Sequence, residues 1–284
     1  MSTINAILPY YGSKRTLAPQ IVAEIGAHAS YFEPFCGSCA ILFAKPLCAA
    51  ETVNDLYGHL YNLAKCLADE TTALVLYERL QRIVCHESIF SDARECTKNL
   101  AVKSPLAVDA AVNFMVTSWM GRNGTAGTDV ANTTFSVRYT RHGGSSVKRW
   151  HSVIESIPWW HQRLKEVAIL NRDAFDVLRG INDEVGTVIY VDPPYLEKTK
   201  TYVHDFKFSD HQRLFDALDR FQRARVLVSY YDHPLINRLY ANWTKRELDV
   251  NQNMAIRSGM NDVPKAPEVL FINGRSYCES RLLF

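Results

Sequence analysis

At 284 residues, with 47% apolar and 22% charged side chains, the chain can bury a sizeable core and lies outside the disordered and collagen-like classes. Its 32 Lys and Arg against 30 Asp and Glu leave a formal charge of +2, which excludes a global polycation. Any nucleic-acid surface must therefore come from local clustering. The seven cysteines, an odd number lying mostly inside apolar stretches, read as reduced thiols rather than a disulfide framework, and no metal-ligand spacing is expected among them. No stretch approaches the roughly 18 apolar residues of a membrane span, and the first residues lack a basic region followed by an apolar run. A cytoplasmic protein of a bacterial or phage-infected cell, without membrane contact, is expected. Asn123-Gly124-Thr125 and Asn132-Thr133-Thr134 match the glycosylation pattern and read as coincidental in that compartment.

Taken in chain order, β-like runs fall at residues 31–35, 51–53, 167–170, 187–191, 225–229, 244–248 and 268–272. Helical spacing of apolar residues appears over 56–67, 210–221 and 234–239. This alternation predicts an α/β fold: a doubly wound, mostly parallel, seven-stranded Rossmann-like sheet with helices on both faces. The stretch between has another character, with amphipathic helices over 71–84 and 106–120 and then a Gly/Thr/Arg/aromatic-rich segment from 121 to 150. Parallel strands need crossovers of only about a dozen residues, so this gap reads as an inserted subdomain. The expected division is a discontinuous catalytic domain, 1–66 with 160–284, and an insert over 67–159.

Several segments carry chemistry. Pro9-Tyr10-Tyr11-Gly12-Ser13-Lys14-Arg15 lacks the first glycine of a phosphate-binding loop and reads as a flap over a nucleoside, or as a basic arm with no site role. Phe32-Glu33-Pro34-Phe35-Cys36-Gly37-Ser38-Cys39-Ala40 is a strand ending in a small-residue turn, which lets a ligand approach the backbone. Asp55, at the end of the next strand, is placed either to accept from ribose hydroxyls or to cap the following helix, and the two roles are compatible. Finally, Asp192-Pro193-Pro194-Tyr195 follows the apolar run Val188-Ile189-Tyr190-Val191. Two prolines supply carbonyls and no N–H groups, so the turn presents acceptors only, with a ring at its end. By itself this is either an ordinary strand-ending turn or a site for a planar amine. Acceptors off the ring plane would help localise the lone pair of such an amine.

Taken together and in order, Tyr-Gly-Ser-Lys, Phe-Glu-Pro-Phe-Cys-Gly-Ser, Asn54-Asp55-Leu56, Asn171-Arg172-Asp173-Ala174-Phe175 and Asp-Pro-Pro-Tyr resemble the Dam-type adenine-specific DNA methyltransferases of the alpha group. Phe208-Ser209-Asp210-His211, Leu227-Val228-Ser229-Tyr230-Tyr231-Asp232 and Glu268-Val269-Leu270-Phe271-Ile272-Asn273 extend the resemblance over nearly the whole chain outside the insert. It implies S-adenosylmethionine as cofactor, no metal, and double-stranded DNA as partner. By similarity, Tyr10 and Lys14 contact the cofactor from the flap, and Glu33, Phe35 and Gly37 line its methionine and ribose region. Asp55 holds the ribose, and Asp173 and Phe175 bracket the adenine. Asp192, Pro193, Pro194 and Tyr195 form the catalytic turn, with Asp192 facing both cofactor and target amine and Tyr195 stacking on the target base. At Cys39 the chain departs from the family's second glycine.

A base inside a duplex cannot reach such a pocket, so the target adenine is expected to be flipped out. Sequence reading then falls to the insert. Arg122, Asn123, Arg138, Arg141, His142, Lys148 and Arg149, interleaved with Trp119, Phe135, Tyr139 and Trp150, supply donors, phosphate contacts and wedges, or else form a solvated basic loop. With no cysteine beside the Pro-Pro turn, methyl transfer is expected to be direct. Alternative readings are the same chemistry on a cytosine amine or on RNA adenine, and a catalytically weakened DNA-binding relative. The protein is expected to be a monomer or weak dimer, in one scenario beside a separately encoded restriction nuclease.

Overall fold

The structure, a computed structural model, describes residues 4–10, 12–99, 107–122, 133–137, 145–196, 206–249 and 267–278. Its centre is β4 (Thr187–Val191), a run of five buried and mostly β-branched residues. Such a run is stable only with both faces covered, as in a parallel sheet. β1 (Ser30–Glu33) pairs parallel on one side of it and β5 (Arg225–Tyr231) on the other. Beyond β1 lie β2 (Ala50–Asn54) and the edge strand β3 (Ala168–Leu170), both parallel. Beyond β5, β7 (Glu268–Ile272) runs antiparallel between β5 and β6 (Thr244–Leu248). The order is β3-β2-β1-β4-β5-β7-β6, so the chain winds outward in opposite directions from β1 and β4. All seven expected strands are present, and the switch point lies between the first and the fourth.

Period-2 alternation sends each strand's side chains to two different cores. Val188, Tyr190, Leu227, Leu270 and Ile272 join one cluster, whereas Ile189, Val191, Val226, Val228, Val269 and Phe271 join the other. The second is covered by α8 (Ala174–Arg179), α9 (Phe208–Asp219) and α10 (Pro234–Leu239). Covering the first are α1 (Ala18–Ile25), the short α2 (Ala40–Ala44) and α3 (Gly58–Ala68), followed by the helices of the middle stretch. These are α4 (Glu70–Gln81), α5 (Glu87–Asn99), α6 (Val108–Met120) and α7 (Ser146–Leu164). No helix among the described residues is long and apolar enough to cross a membrane.

The middle stretch differs from expectation at its end. Residues 146–150 open α7, whose Trp150, Val153, Ile154, Ile157, Trp160 and Leu164 form a buried stripe at helical spacing. Composition hid this helix, because Gly and Arg dominate the sequence before it and Pro158 stands inside it. A helix tolerates an internal proline when packing outweighs the lost hydrogen bond and the clash with the preceding turn. α7 runs unbroken through residue 160, and its apolar residues merge with the core under the sheet. Buried Glu51 on β2 accepts from Arg163 of α7 (Nη2, 2.8 Å) and from Lys45 after α2, joining helix and sheet.

Candidate active site

Beyond the carboxyl ends of β1, β2 and β4 lies a cleft of about 970 Å³, part of it open to solvent. Doubly wound sheets place ligands at this position, where strand order reverses. Its walls bring together Tyr10, Lys14, Glu33, Phe35, Gly37, Asp55, Asp173, Phe175, Asp192, Pro193 and Pro194.

The turn after β1 is shaped for close approach. Gly37 has φ +45°, and a Cβ there would lie 3.3 Å from the Tyr10 ring. Its N–H donates to Asp55 Oδ2 at 2.9 Å, and Asp55 Oδ1 accepts from the Tyr57 N–H at 2.9 Å. Asp55 thus braces the turn and caps the chain before α3 while still facing the cleft. Asn54 locks three strand ends: its Nδ2 donates to the Pro34 and Arg172 carbonyls, and its Oδ1 accepts from the Arg172 N–H. Cys39, fully buried, adopts the left-handed conformation at φ 59°. That costs a non-glycine residue about 1–2 kcal/mol. Its N–H closes the turn on the Cys36 carbonyl at 2.7 Å.

On the far wall Asp173 caps α8, accepting from the Phe175 N–H at 2.8 Å. Phe206 lies nearly parallel to Phe175, with centroids 6.0 Å apart, and edge-on to Phe35 at 5.5 Å. The Arg213 guanidinium covers Phe175 at 3.8 Å. This aromatic wall suits a flat heterocycle.

Asp192 sits at the end of β4. Its Oδ1 accepts from the Tyr195 hydroxyl at 3.0 Å and pairs with Lys14 Nζ at 3.1 Å. Burial raises the Asp192 carboxyl above its usual range, while Lys14 and the Tyr195 hydroxyl oppose the rise. Burial would strip Lys14 of its proton, but the carboxylates of Asp192 and Glu268 outweigh it and raise its pKa, so Lys14 stays charged. Glu33 accepts from the Tyr31 hydroxyl at 2.8 Å. Burial, reinforced by the Asp192 charge, pushes Glu33 to about 8, against the pull of Tyr31. At neutral pH Glu33 therefore keeps its proton beside the Lys14–Asp192 contact.

Tyr195 is placed differently from the other motif residues. Its ring is buried beside the cleft, edge-on to Tyr231 at 4.7 Å and covered by Lys14 Nζ at 4.9 Å from its centroid. His211, buried, bonds through Nδ1 to the Tyr230 hydroxyl at 2.9 Å and backs this aromatic group.

In the insert, Arg122 and Lys148 are exposed. Arg149 is half-buried on α7, with its guanidinium bonded to the Trp119 carbonyl. Asn123, Arg138, Arg141, Tyr139 and His142, as well as Tyr11 of the flap and His204, lie outside the described residues. Trp119 and Trp150 are not wedges: both are buried, with indole N–H groups donating to the Ile7 and Ile83 carbonyls at 3.0 and 2.8 Å. Phe135 packs on Phe90. Large aromatic rings gain more from burial than from solvent, and a buried indole finds an acceptor. Sequence reasoning passed over Asn54, Arg172 and Phe206 as lining residues, although the first two stand within recognised motifs. Glu268, 3.7 Å from Lys14, opens the last of the recognised motifs, but its pairing with that lysine was not foreseeable from the sequence.

The residues fit a nucleoside-type cofactor: an acidic strand-end residue, an aromatic wall, a backbone-exposing turn, and charges of both signs for an amino-acid moiety. Sheet order, antiparallel β7 and this cleft define a Rossmann-like methyltransferase. The family described as D12 class N6 adenine-specific DNA methyltransferase matches residues 10–256. The retron Ec67 DNA adenine methylase of Escherichia coli is 24% identical over 287 residues, covering 95% of this chain and 92% of that protein. The chain belongs to the D12 class family and is an adenine-specific DNA methyltransferase, which takes DNA as substrate and requires a methyl donor.

Proposed function

We propose that the donor is S-adenosylmethionine and that the acceptor is the exocyclic amine of an adenine flipped out of double-stranded DNA within a short recognition sequence. One observation carries the reading: a single cleft holds Asp192, an acceptor for an amine, together with the Asp55–Gly37 turn and the aromatic wall suited to a nucleoside. When bound, the cofactor supplies an electrophilic methyl group on a sulfonium.

Asp55 would accept from the ribose hydroxyls, and Asp173 and Phe175 would hold the adenine, with Phe206 and Phe35 extending that wall. Lys14 and Tyr10 would meet the carboxylate end, where Glu33 adds an uncharged donor. Asp192 and the backbone carbonyls of the Pro-Pro turn accept the amine hydrogens, which localises the nitrogen lone pair. After transfer the nitrogen is cationic and acidic, and its proton passes to Asp192 or to water. No catalytic histidine is needed. Lys14 both neutralises Asp192 and covers the Tyr195 ring, so it must yield before a base can use either.

Residues 1–66 and 160–284 act as the catalytic portion and 67–159 as the target-recognition portion, with Arg122, Asn123, Arg138, Arg141, Lys148 and Arg149 contacting DNA. To test the reaction, the protein is incubated with labelled S-adenosylmethionine and unmethylated DNA, and the DNA is hydrolysed to nucleosides. Label in N6-methyladenine is expected; label in methylcytosine, or none, overturns the proposal. Asp192→Ala should abolish transfer while the protein still binds cofactor, and undiminished transfer sinks the assignment of Asp192.

A further inference from the structure

Cys36-Gly37-Ser38-Cys39 is a Cys-x-x-Cys segment, a spacing that is lost when the seven cysteines are read as scattered thiols. Both thiols are free and buried. The Cys39 N–H to Cys36 carbonyl bond at 2.7 Å closes a four-residue turn. A β-turn holds its end Cα atoms within about 7 Å, and a disulfide spans roughly 4.4–6.8 Å. Cys36 is among the residues that line the cleft, whereas Cys39 is fully buried and is not. The neighbouring Cys39 thiol and burial raise the Cys36 pKa well above the usual thiol range.

We propose that Cys36 and Cys39 form a dithiol site that a low-molecular-weight disulfide oxidises, and that the resulting intramolecular bond weakens cofactor binding. The inference rests on the cleft being the cofactor site. Cys36, entered from the cleft, loses its proton and attacks one sulfur of the small disulfide, expelling the other half as a thiol. Cys39 then loses its proton and attacks the Cys36 sulfur of the mixed disulfide, expelling the second thiol. Two protein thiols are oxidised by two electrons, and one small disulfide is reduced to two thiols. Because Cys36 holds its proton tightly, little of its thiolate is present and the bond forms slowly.

The bond acts on the cofactor through Gly37. Drawing the two sulfurs of this turn to about 2.05 Å turns the peptide units between them. The Gly37 N–H holds Asp55, the Ser38 carbonyl accepts from the Ile7 N–H at 3.1 Å, and the Ser38 hydroxyl meets that of Ser13 at 2.9 Å. A re-angled turn therefore releases the ribose-facing carboxylate and disturbs the base of the flap.

The test uses the full-length protein and oxidised glutathione as probe, reading bond position by peptide mass mapping and S-adenosylmethionine affinity by calorimetry. A 36–39 bond is expected, with a loss in affinity of about tenfold or more, the scale of a lost hydrogen bond to a charged group, restored by dithiothreitol. Prior addition of cofactor should slow the bond's formation. Cys39→Gly should stop at a glutathione adduct on Cys36, and Cys36→Ala should show the same affinity before and after treatment. Absence of the bond while exposed Cys96 is fully converted overturns the inference, as does a bond that leaves affinity unchanged. Failure of the reduced protein to bind cofactor overturns the cofactor reading instead, and the mass map still decides the dithiol.

Discussion

Glu33 is a glutamic acid placed where its charge is unwelcome, and this gives the protein a pH dependence of its own. Its pKa is about 8 in the folded state against an ordinary 4.5. Between these values the folded chain keeps a proton that the unfolded chain has released. The stability from this group is therefore complete below about pH 4.5, declines as pH rises, and is gone above about pH 8. Glu33→Gln, which keeps an acceptor for the Tyr31 hydroxyl, should flatten that decline in denaturation midpoints measured from about pH 5 to about pH 9. An unchanged slope would show that Glu33 is ionised in the fold. Its neighbour on the next strand end, Asp55, shows how far a single residue was legible: strand-end position pointed to both a ribose acceptor and a cap. The cap is seen at the Tyr57 N–H, and the hold on Gly37 was not foreseeable because it joins two turns 18 residues apart.

Between elements, two buried contacts tie distant parts of the chain together. Glu24 of α1 accepts from Arg225 of β5 at 3.1 Å, Arg246 of β6 at 2.8 Å, the Ser276 hydroxyl at 2.6 Å and the Tyr277 N–H at 2.8 Å. Burial would raise its pKa, but these donors outweigh it and hold the carboxyl below its usual range. Glu24→Ala leaves the guanidiniums without a counter-charge and should cost about 3–5 kcal/mol in chemical denaturation; a loss near zero would mark the cluster as solvated. The second contact is Ile7, whose N–H donates to Ser38 of the turn after β1 and whose carbonyl accepts from Trp119 of α6. Trp119→Phe removes the indole N–H and part of a buried ring, so it orphans that carbonyl and opens a cavity, a loss of at least about 1–3 kcal/mol in the same assay. α1, α5 and α8 carried no expectation of a helix, whereas the strands and helices α3, α4, α6, α9 and α10 were readable from periodicity, since apolar alternation reports burial directly. α7 was not, because the residues that cover its stripe lie in other elements and Pro158 argued against a helix.

For the whole molecule, the described helices of the middle stretch and one face of the sheet share a single core. Among the described cations of the proposed DNA surface, Arg149 is half-buried, and Arg122 and Lys148 are exposed. Changing both to Ala should lower the slope of log affinity against log salt by about one for each lost phosphate contact. An unchanged slope on DNA of any sequence would remove them from the interface, and relaxed specificity would make them base readers. Fold class, strand count and the family resemblance were determined by the sequence alone, because strand periodicity and ordered motifs are local properties that survive without a partner. Only the tertiary structure decided that β1 and β4 are neighbours and that Lys14 bridges Asp192 and Glu268. It also decided that Tyr195 lies beneath that lysine and that two tryptophans of a basic segment belong to the core. These are contacts between residues far apart in the chain, and their energies come from burial and charge that exist only once the elements have packed.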